Sequence, residues 1–424
     1  MIQYSRHTLD NGLRIVIHED YSTPVVAINI LYNVGSRDDH PDRTGFAHLF
    51  EHLMFGGSKN APSYDDPIQF AGGESNAFTN TDVTNFFCIL PAENFELGLF
   101  LEADRMQYLK LDRHLLGVEQ QVVCEEFKET CLSEPYGDVW HLLSALAYKN
   151  HPYRWPVIGM SMDHIAGAGI DDVQRFYHDY YGPNNAVCVV AGPVKTEDAL
   201  EQVKKHFGHI EKRIRPVQHF SGEQTQQTIR TAEHQSEVPV DAVFMAFHMG
   251  NRMDAGYYEA DLLADILASG FASRMHCALV KEMQCATSID AYITGTSDPG
   301  LFIIEAKCAD GHSPSKVESA IWPLLQDLSK LPVGERELAR HIHKSESSIA
   351  YSNMSVLNKA MNLAYFELIG DTELINSEQE MYEKITAEML QQTAATLFRE
   401  ENCSILYYHK KNENENQNEN QNEN

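Results

Sequence analysis

The sequence predicts an α+β protein of two duplicated domains, each an antiparallel sheet backed by helices, and three observations predict it. Residues 26–37 form an apolar strand ending in the turn Gly35-Ser36-Arg37, and residues 241–252 repeat that pattern at an offset of 215, ending in Gly250-Asn251-Arg252. Each half closes on a second similar strand, 186–192 and then 403–408. A helix-rich stretch fills the middle of each half, the arrangement of a sheet that buries one face under helices.

At 424 residues the chain fits two domains of roughly 200 residues each. The first is expected over 1–212. A polar stretch with Pro216, Ser221-Gly222 and several Gln reads as a linker over 213–235. The second domain follows over 236–410, and the Asn/Glu/Gln repeat of 411–424 is low in complexity and expected to be disordered. No stretch approaches the ~20 apolar residues of a membrane span. The first seven residues contain no apolar signal region, so the expectation is a cytoplasmic protein with no membrane partner.

Composition excludes further classes. The eight cysteines include no Cys-x-x-Cys pair, which argues against a disulfide framework and against a thiolate metal site. Lys and Arg number 33 against 61 Asp and Glu, a net charge of −28. Beyond Lys411 lie only four of those acids (Glu413, Glu415, Glu419, Glu423), so the rest stays near −24. Nucleic acid is therefore not an expected partner, because phosphate binding needs a basic surface. A basic peptide would be attracted, although ordinary solubility charge accounts for the same excess.

The most informative residues are 48–52, His-Leu-Phe-Glu-His. On a helix, positions i, i+3 and i+4 share a face, which brings His48, Glu51 and His52 together. Two imidazoles one turn apart can both ligate a zinc ion, and the carboxylate between them can reach a water on that ion. The order reverses the common His-Glu-x-x-His helix and is that of the inverzincins. Thr44 reads as the helix cap and Gly56-Gly57 as its end. The competing reading is a buried helix whose histidines bond backbone carbonyls.

A peptidase site of this kind needs a third ligand and an open position. The helical pattern of 118–129 offers candidates. Glu119 and Glu126 lie two turns apart on one stripe, with Val122 and Val123 on or near it, so the stripe is expected to face inward. Carboxylates there are costly unless paired or bound to metal. Glu125 and Glu129 suit a solvated face better. With His48, His52 and Glu126 on zinc, a ligand water would be acidified to a pKa of about 7. Glu51 would then act as general base, and Glu119 would support the ligands from behind. At the offset of 215 the second half places Leu263, Ile266 and Leu267 at the corresponding positions, so only one domain is expected to carry metal.

These residues resemble the pitrilysin/insulinase-type zinc peptidases, in the two-domain branch that includes the mitochondrial processing peptidase. The resemblance spans about residues 5–410. It rests on Leu9-Asp10-Asn11-Gly12-Leu13, Gly35-Ser36-Arg37, the run from Gly45 to Phe55, Asn76-Ala77-Phe78-Thr79, the run from Leu101 to Met106, and Val123-Cys124-Glu125-Glu126. It continues through His151-Pro152-Tyr153, Gly159, the run from Tyr181 to Asn185, and Ser273-Arg274. The resemblance implies zinc ligands at His48, His52 and Glu126, a general base at Glu51 and a supporting carboxylate at Glu119, in agreement with the reading of the residues themselves. It also implies that substrate peptide adds as a strand beside Asn76, Ala77, Phe78 and Thr79.

One departure matters. Active relatives carry in the later half an Arg and a Tyr seven residues apart that stabilise the oxyanion. Alignment on Ser273-Arg274 puts Val280 and Thr287 at those positions, with Tyr292 a neighbouring substitute. The expectation is a zinc metallopeptidase for short or unfolded peptides, the zinc-bearing subunit of a heterodimer whose partner supplies the Arg and Tyr. A non-catalytic assembly subunit and a self-sufficient homodimer are the alternatives. His341 and His343 read as exposed positions on a polar helix and not as ligands.

Overall fold

The protein is described by a computed structural model for residues 1–216, 220 and 222–411. The strands are β1 (Ser5–Thr8), β2 (Arg14–Glu19), β3 (Val25–Tyr32), β4 (Glu74–Thr79), β5 (Thr84–Pro91), β6 (Ala186–Gly192), β7 (Arg230–Ser236), β8 (Ala242–His248), β9 (Ala286–Ile293), β10 (Leu301–Cys308) and β11 (Cys403–Lys410). The helices of the first half are α1 (Phe46–Leu53), α2 (Asp65–Phe70), α3 (Phe95–Tyr108), α4 (Arg113–Phe127), α5 (Val139–Ala147), α6 (Met162–Ala166), α7 (Ile170–Tyr180) and α8 (Thr196–Phe207). The second half adds α9 (Tyr257–Ala268), α10 (Pro314–Lys330), α11 (Glu335–Ser352), α12 (Val356–Ile369), α13 (Leu374–Glu383) and α14 (Ala387–Leu397).

The duplication read from the sequence is present in the pairing. The first sheet runs β1-β2-β6-β3-β5-β4 and the second β7-β11-β8-β10-β9. Strands β3 and β8, which carry the repeat, each lie between the closing strand of their half and the next hairpin partner. The sheets are antiparallel as expected except at one pair each, β2 with β6 and β7 with β11, which run parallel. A parallel pair needs a long crossover, and here most of each half supplies it. The linker ends sooner than 235, because β7 starts at Arg230 and pairs with β11 from Ser404. The tail expected to be disordered lies, beyond Lys411, outside the described residues.

The two compact units are not the contiguous spans expected. One unit comprises Met1–Lys128, Trp155–Phe220 and Ser347–Gln379; the other comprises Glu129–Arg154, Ser221–Glu346 and the described residues from Glu380. In the first unit α12, from the second half of the chain, packs on β3 and β6. In the second unit α5, from the first half, packs on β8 and β11. Both helices carry an apolar stripe, and the pattern within a helix records that stripe without naming the sheet that covers it.

Polar bonds as well as apolar contact hold α12. Glu367 accepts from Arg6 at 2.6 Å, and Lys359 is ion-paired with Asp20, both pairs within the first unit. Burial pushes the Asp20 carboxyl up, but hydrogen bonds from Lys359 and Ser22 outweigh it and hold the group below the usual carboxylate range. A carboxylate depressed in the fold contributes stability above its unfolded pKa of about 3.9, and that contribution is lost as pH falls through the folded value. Asp20→Asn is therefore expected to flatten the loss of stability on acidification from about pH 4 downward. Denaturant unfolding across that range checks it, and an unchanged acid limb would contradict it.

Candidate metal centre

The eight residues of α1 divide by face. Phe46, Ala47, Leu49, Phe50 and Leu53 are buried, with Phe50 stacked on Phe176 (5.0 Å between ring centroids) and on Tyr181 (5.1 Å). His48, Glu51 and His52 occupy the opposite, half-buried face, as the spacing requires. The helix start differs from expectation. Thr44 does not cap it: its hydroxyl accepts the Met160 N–H at 2.7 Å and pairs with His164 Nδ1 at 2.9 Å. Gly45 adopts a left-handed conformation at the cap position, and the Asp39 carboxylate accepts the N–H groups of Gly45 (2.8 Å) and Ala47 (3.0 Å).

Helix α4 packs against α1 and brings the third candidate ligand. The Asp112 side chain caps it by accepting from the amides of His114 and Leu115. Leu116, Val123 and Phe127 are buried, and the Gln120 amide donates to the carbonyls of Ile165, Ala166 and Ala168. Val122, expected to face inward with Val123, is instead 45% exposed. It shares the face of Glu119 and Glu126, and that face is partly exposed and not part of the core.

The three groups converge. Glu126 Oε1 lies 3.6 Å from His48 Nε2, and Oε2 lies 3.3 Å from His52 Nε2. The two imidazoles stand perpendicular, 5.0 Å between ring centroids, and one atom from each residue falls within 4.8 Å of the others. Tetrahedral ligation at bonds of about 2.0–2.2 Å separates donor atoms by about 3.4 Å, so the observed spacings fit a zinc-sized ion. Among the described residues no other group of three His, Cys, Asp or Glu meets that spacing. All eight cysteines are free thiols and none joins the group.

Electrostatics suit the same purpose. Burial lowers the pKa of His48 to about 4, which leaves the ring neutral and able to donate a lone pair. His52 is raised, chiefly by its hydrogen bond with Glu126, and Glu126 is lowered by the same bond. Glu119 Oε2 sits 3.8 Å from His52 Nδ1, on the side of the ring away from Glu126. His48 Nδ1 is buried and has no such partner. Burial lifts the Glu51 carboxyl above its ordinary value, while the hydroxyl and amide of Thr79 donate to it. Thr79 ends β4, which is the edge strand of its sheet. The segment Asn76-Ala77-Phe78-Thr79 thus lies at a sheet edge, with Asn76 and Phe78 exposed and Ala77 and Thr79 half-buried.

Comparison with known proteins places this geometry. Residues 14–160, which contain every residue of the group, match the insulinase (peptidase family M16) model, and residues 168–345 match the peptidase M16 inactive domain. Zinc protease PqqE of Helicobacter pylori is 30% identical over 338 residues, covering 78% of this chain and 76% of that protein. The chain belongs to the insulinase family of zinc peptidases. A probable mitochondrial-processing peptidase subunit beta of Arabidopsis thaliana is 24% identical over 364 residues, 81% of this chain and 66% of that one. The crystal structure of a protease from Helicobacter pylori superposes with a TM-score of 0.92 at 26% identity, covering 96% of this chain and 100% of that one. The cofactor of this M16 peptidase is zinc, and His48, His52 and Glu126 are the group of described residues with the spacing to hold it.

In the second half of the M16 chain, Leu263, Ile266 and Leu267 are fully buried on α9, so the helix that repeats α1 is a core element. Val280 lies on a helical turn, and Thr287 is an exposed residue of β9 whose hydroxyl donates to the Lys307 carbonyl at 3.3 Å. Tyr292, also on β9, packs its ring 6.5 Å from that of Trp140. His343 is exposed as expected, but His341 is buried, its Nε2 facing the Arg340 guanidinium at 3.0 Å. No helix among the described residues is long and apolar enough to cross a membrane. Two contacts were not legible beforehand. Asp39 lies too far from Gly45 for any local capping pattern, and the bond from Thr79 to Glu51 joins elements far apart in sequence.

Proposed function

We propose that this zinc peptidase cleaves short or unfolded peptides as the zinc-bearing subunit of a heterodimer. His48, His52 and Glu126 hold the ion, Glu51 is the general base, Glu119 steadies His52, and the partner contributes an Arg and a Tyr. The observation that carries this reading is the attachment of Glu51 to the edge strand through Thr79. Bound zinc supplies Lewis acidity and a water of pKa about 7. An extended peptide pairs its main chain along β4, which gives affinity with little sequence preference. Its scissile bond is thereby brought to Glu51, whose burial-raised carboxyl suits taking a proton near neutral pH and returning it to the leaving amine.

The heterodimer rests on what stands at positions 280 and 287. Val280 has no donor to offer an oxyanion, and the Thr287 hydroxyl is engaged by a carbonyl. One relative is itself named as a subunit, the beta subunit of a processing peptidase. Measuring zinc content and peptidase activity, with and without a related Arg/Tyr-bearing subunit, tests the reading. The chain alone should bind zinc and turn over at least about 10²-fold more slowly than the mixture, the usual cost of a missing oxyanion donor. Full activity of the chain alone would overturn the heterodimer and leave the self-sufficient enzyme. Zinc binding without activity in either case would favour the assembly subunit.

A further inference from the structure

We propose that Asp39 is a positioning residue for the metal site, tethering the first turn of α1 so that His48 and His52 meet Glu126 at ligand spacing. The inference rests on the reading of those three as ligands. Helix α1 spans barely two turns, too few to be held by its own hydrogen bonds, and its first amides have no partner within the helix. Gly45 has no side chain to offer them. A Cβ there would meet the Ile158 carbonyl oxygen at 2.8 Å, and the left-handed backbone (φ 91°) excludes most replacements. Thr44 is engaged elsewhere, with Met160 and His164.

Asp39 fills the vacancy from six residues upstream. Its two oxygens act separately, Oδ2 on the Gly45 amide and Oδ1 on the Ala47 amide, and the residue is 4% exposed. A bidentate hold of this kind fixes both the height of the helix and its rotation about its axis. Ala47 immediately precedes His48, so a swing of the first turn moves that imidazole directly and His52 with it. The carboxylate is in turn anchored by its loop. Asp38 accepts the Gly35 amide at 3.1 Å, Trp155 Nε1 donates to the Ser36 carbonyl at 2.7 Å, and Arg37 pairs with Asp82 at 2.8 Å. Burial pushes the Asp39 carboxyl well above the usual carboxylate range, and the amides of Gly45 and Ala47 pull against that shift. Binding geometries of this type tolerate displacements of only about 0.5 Å.

The test compares Asp39→Ala and Asp39→Asn with Ile303→Ala, a core truncation in the other unit. The readouts are zinc affinity by chelator competition, the visible spectrum of the cobalt-substituted protein, and thermal unfolding of the metal-free protein. Asp39→Ala should bind zinc at least tenfold more weakly and alter the cobalt band. Asp39→Asn, which keeps one acceptor oxygen, should recover part of both and serves if the alanine variant does not fold. Ile303→Ala should lower the unfolding temperature with affinity and spectrum unchanged. Affinity and spectrum that stay at wild-type in the Asp39 variants, or that move no more than in Ile303→Ala, overturn the proposal. Wild-type zinc affinity in His48→Ala would instead remove the ligand reading beneath it.

Discussion

Glu51→Gln is expected to retain zinc at wild-type stoichiometry while kcat falls by about 10²–10⁴-fold. The amide preserves the shape of the side chain and can still accept from Thr79, so the local fold should hold. What it loses is the ability to take a proton. His48→Ala should behave differently, because it leaves Glu126 with one imidazole partner and should lose the metal along with activity. Metal analysis beside steady-state kinetics separates the two variants. A Glu51→Gln protein that turned over normally would place the proton transfer on another group.

The second large effect concerns stability. Arg105 and Glu102 are 1% and 0% exposed on α3 and paired through two bonds, Nε to Oε2 at 2.9 Å and Nη2 to Oε1 at 2.5 Å. The guanidinium lies over the rings of Tyr64 (4.0 Å) and Phe86 (4.4 Å), and the Tyr64 hydroxyl donates to Glu102 at 2.6 Å. Removing one partner strands a charge in a dry interior, which costs about 3–5 kcal/mol. Arg105→Met and Glu102→Leu should each destabilise by about that amount, and the double variant by clearly less than either alone. Denaturant titration of the four proteins checks this, and simple additivity would contradict it. The ring of Phe55, three residues past His52, also contacts this guanidinium at 5.6 Å, so the pair supports the floor beneath the metal helix.

The candidate ligands were legible because they obey helical arithmetic. His48 and His52 sit one turn apart on a short amphipathic run, and Glu126 lies on a second helix whose charge pattern set it apart from Glu125 and Glu129. The duplicated sheet was legible because β3 and β8 carry nearly continuous apolar runs closed by the same Gly-x-Arg turn. What escaped depends on contacts distant in sequence. The Asp39 cap reaches across six and eight residues, so Thr44, the local candidate, was the natural expectation. Val122 and His341 were misplaced because helical phase gives a direction but not what packs there. Whether α5 and α12 cover their own sheet or the other is likewise invisible to periodicity.

That last exchange bears on how the chain is made. The helix that covers β3 and β6 begins only at Val356, more than 160 residues after β6 ends at Gly192. A ribosome that has released the entire first half has therefore not yet supplied the cover for its sheet, and an apolar surface stays exposed through most of the remaining synthesis. Nascent chains of this length are where chaperones bind and where aggregation starts. A truncation ending at residue 212 should accordingly emerge as insoluble material.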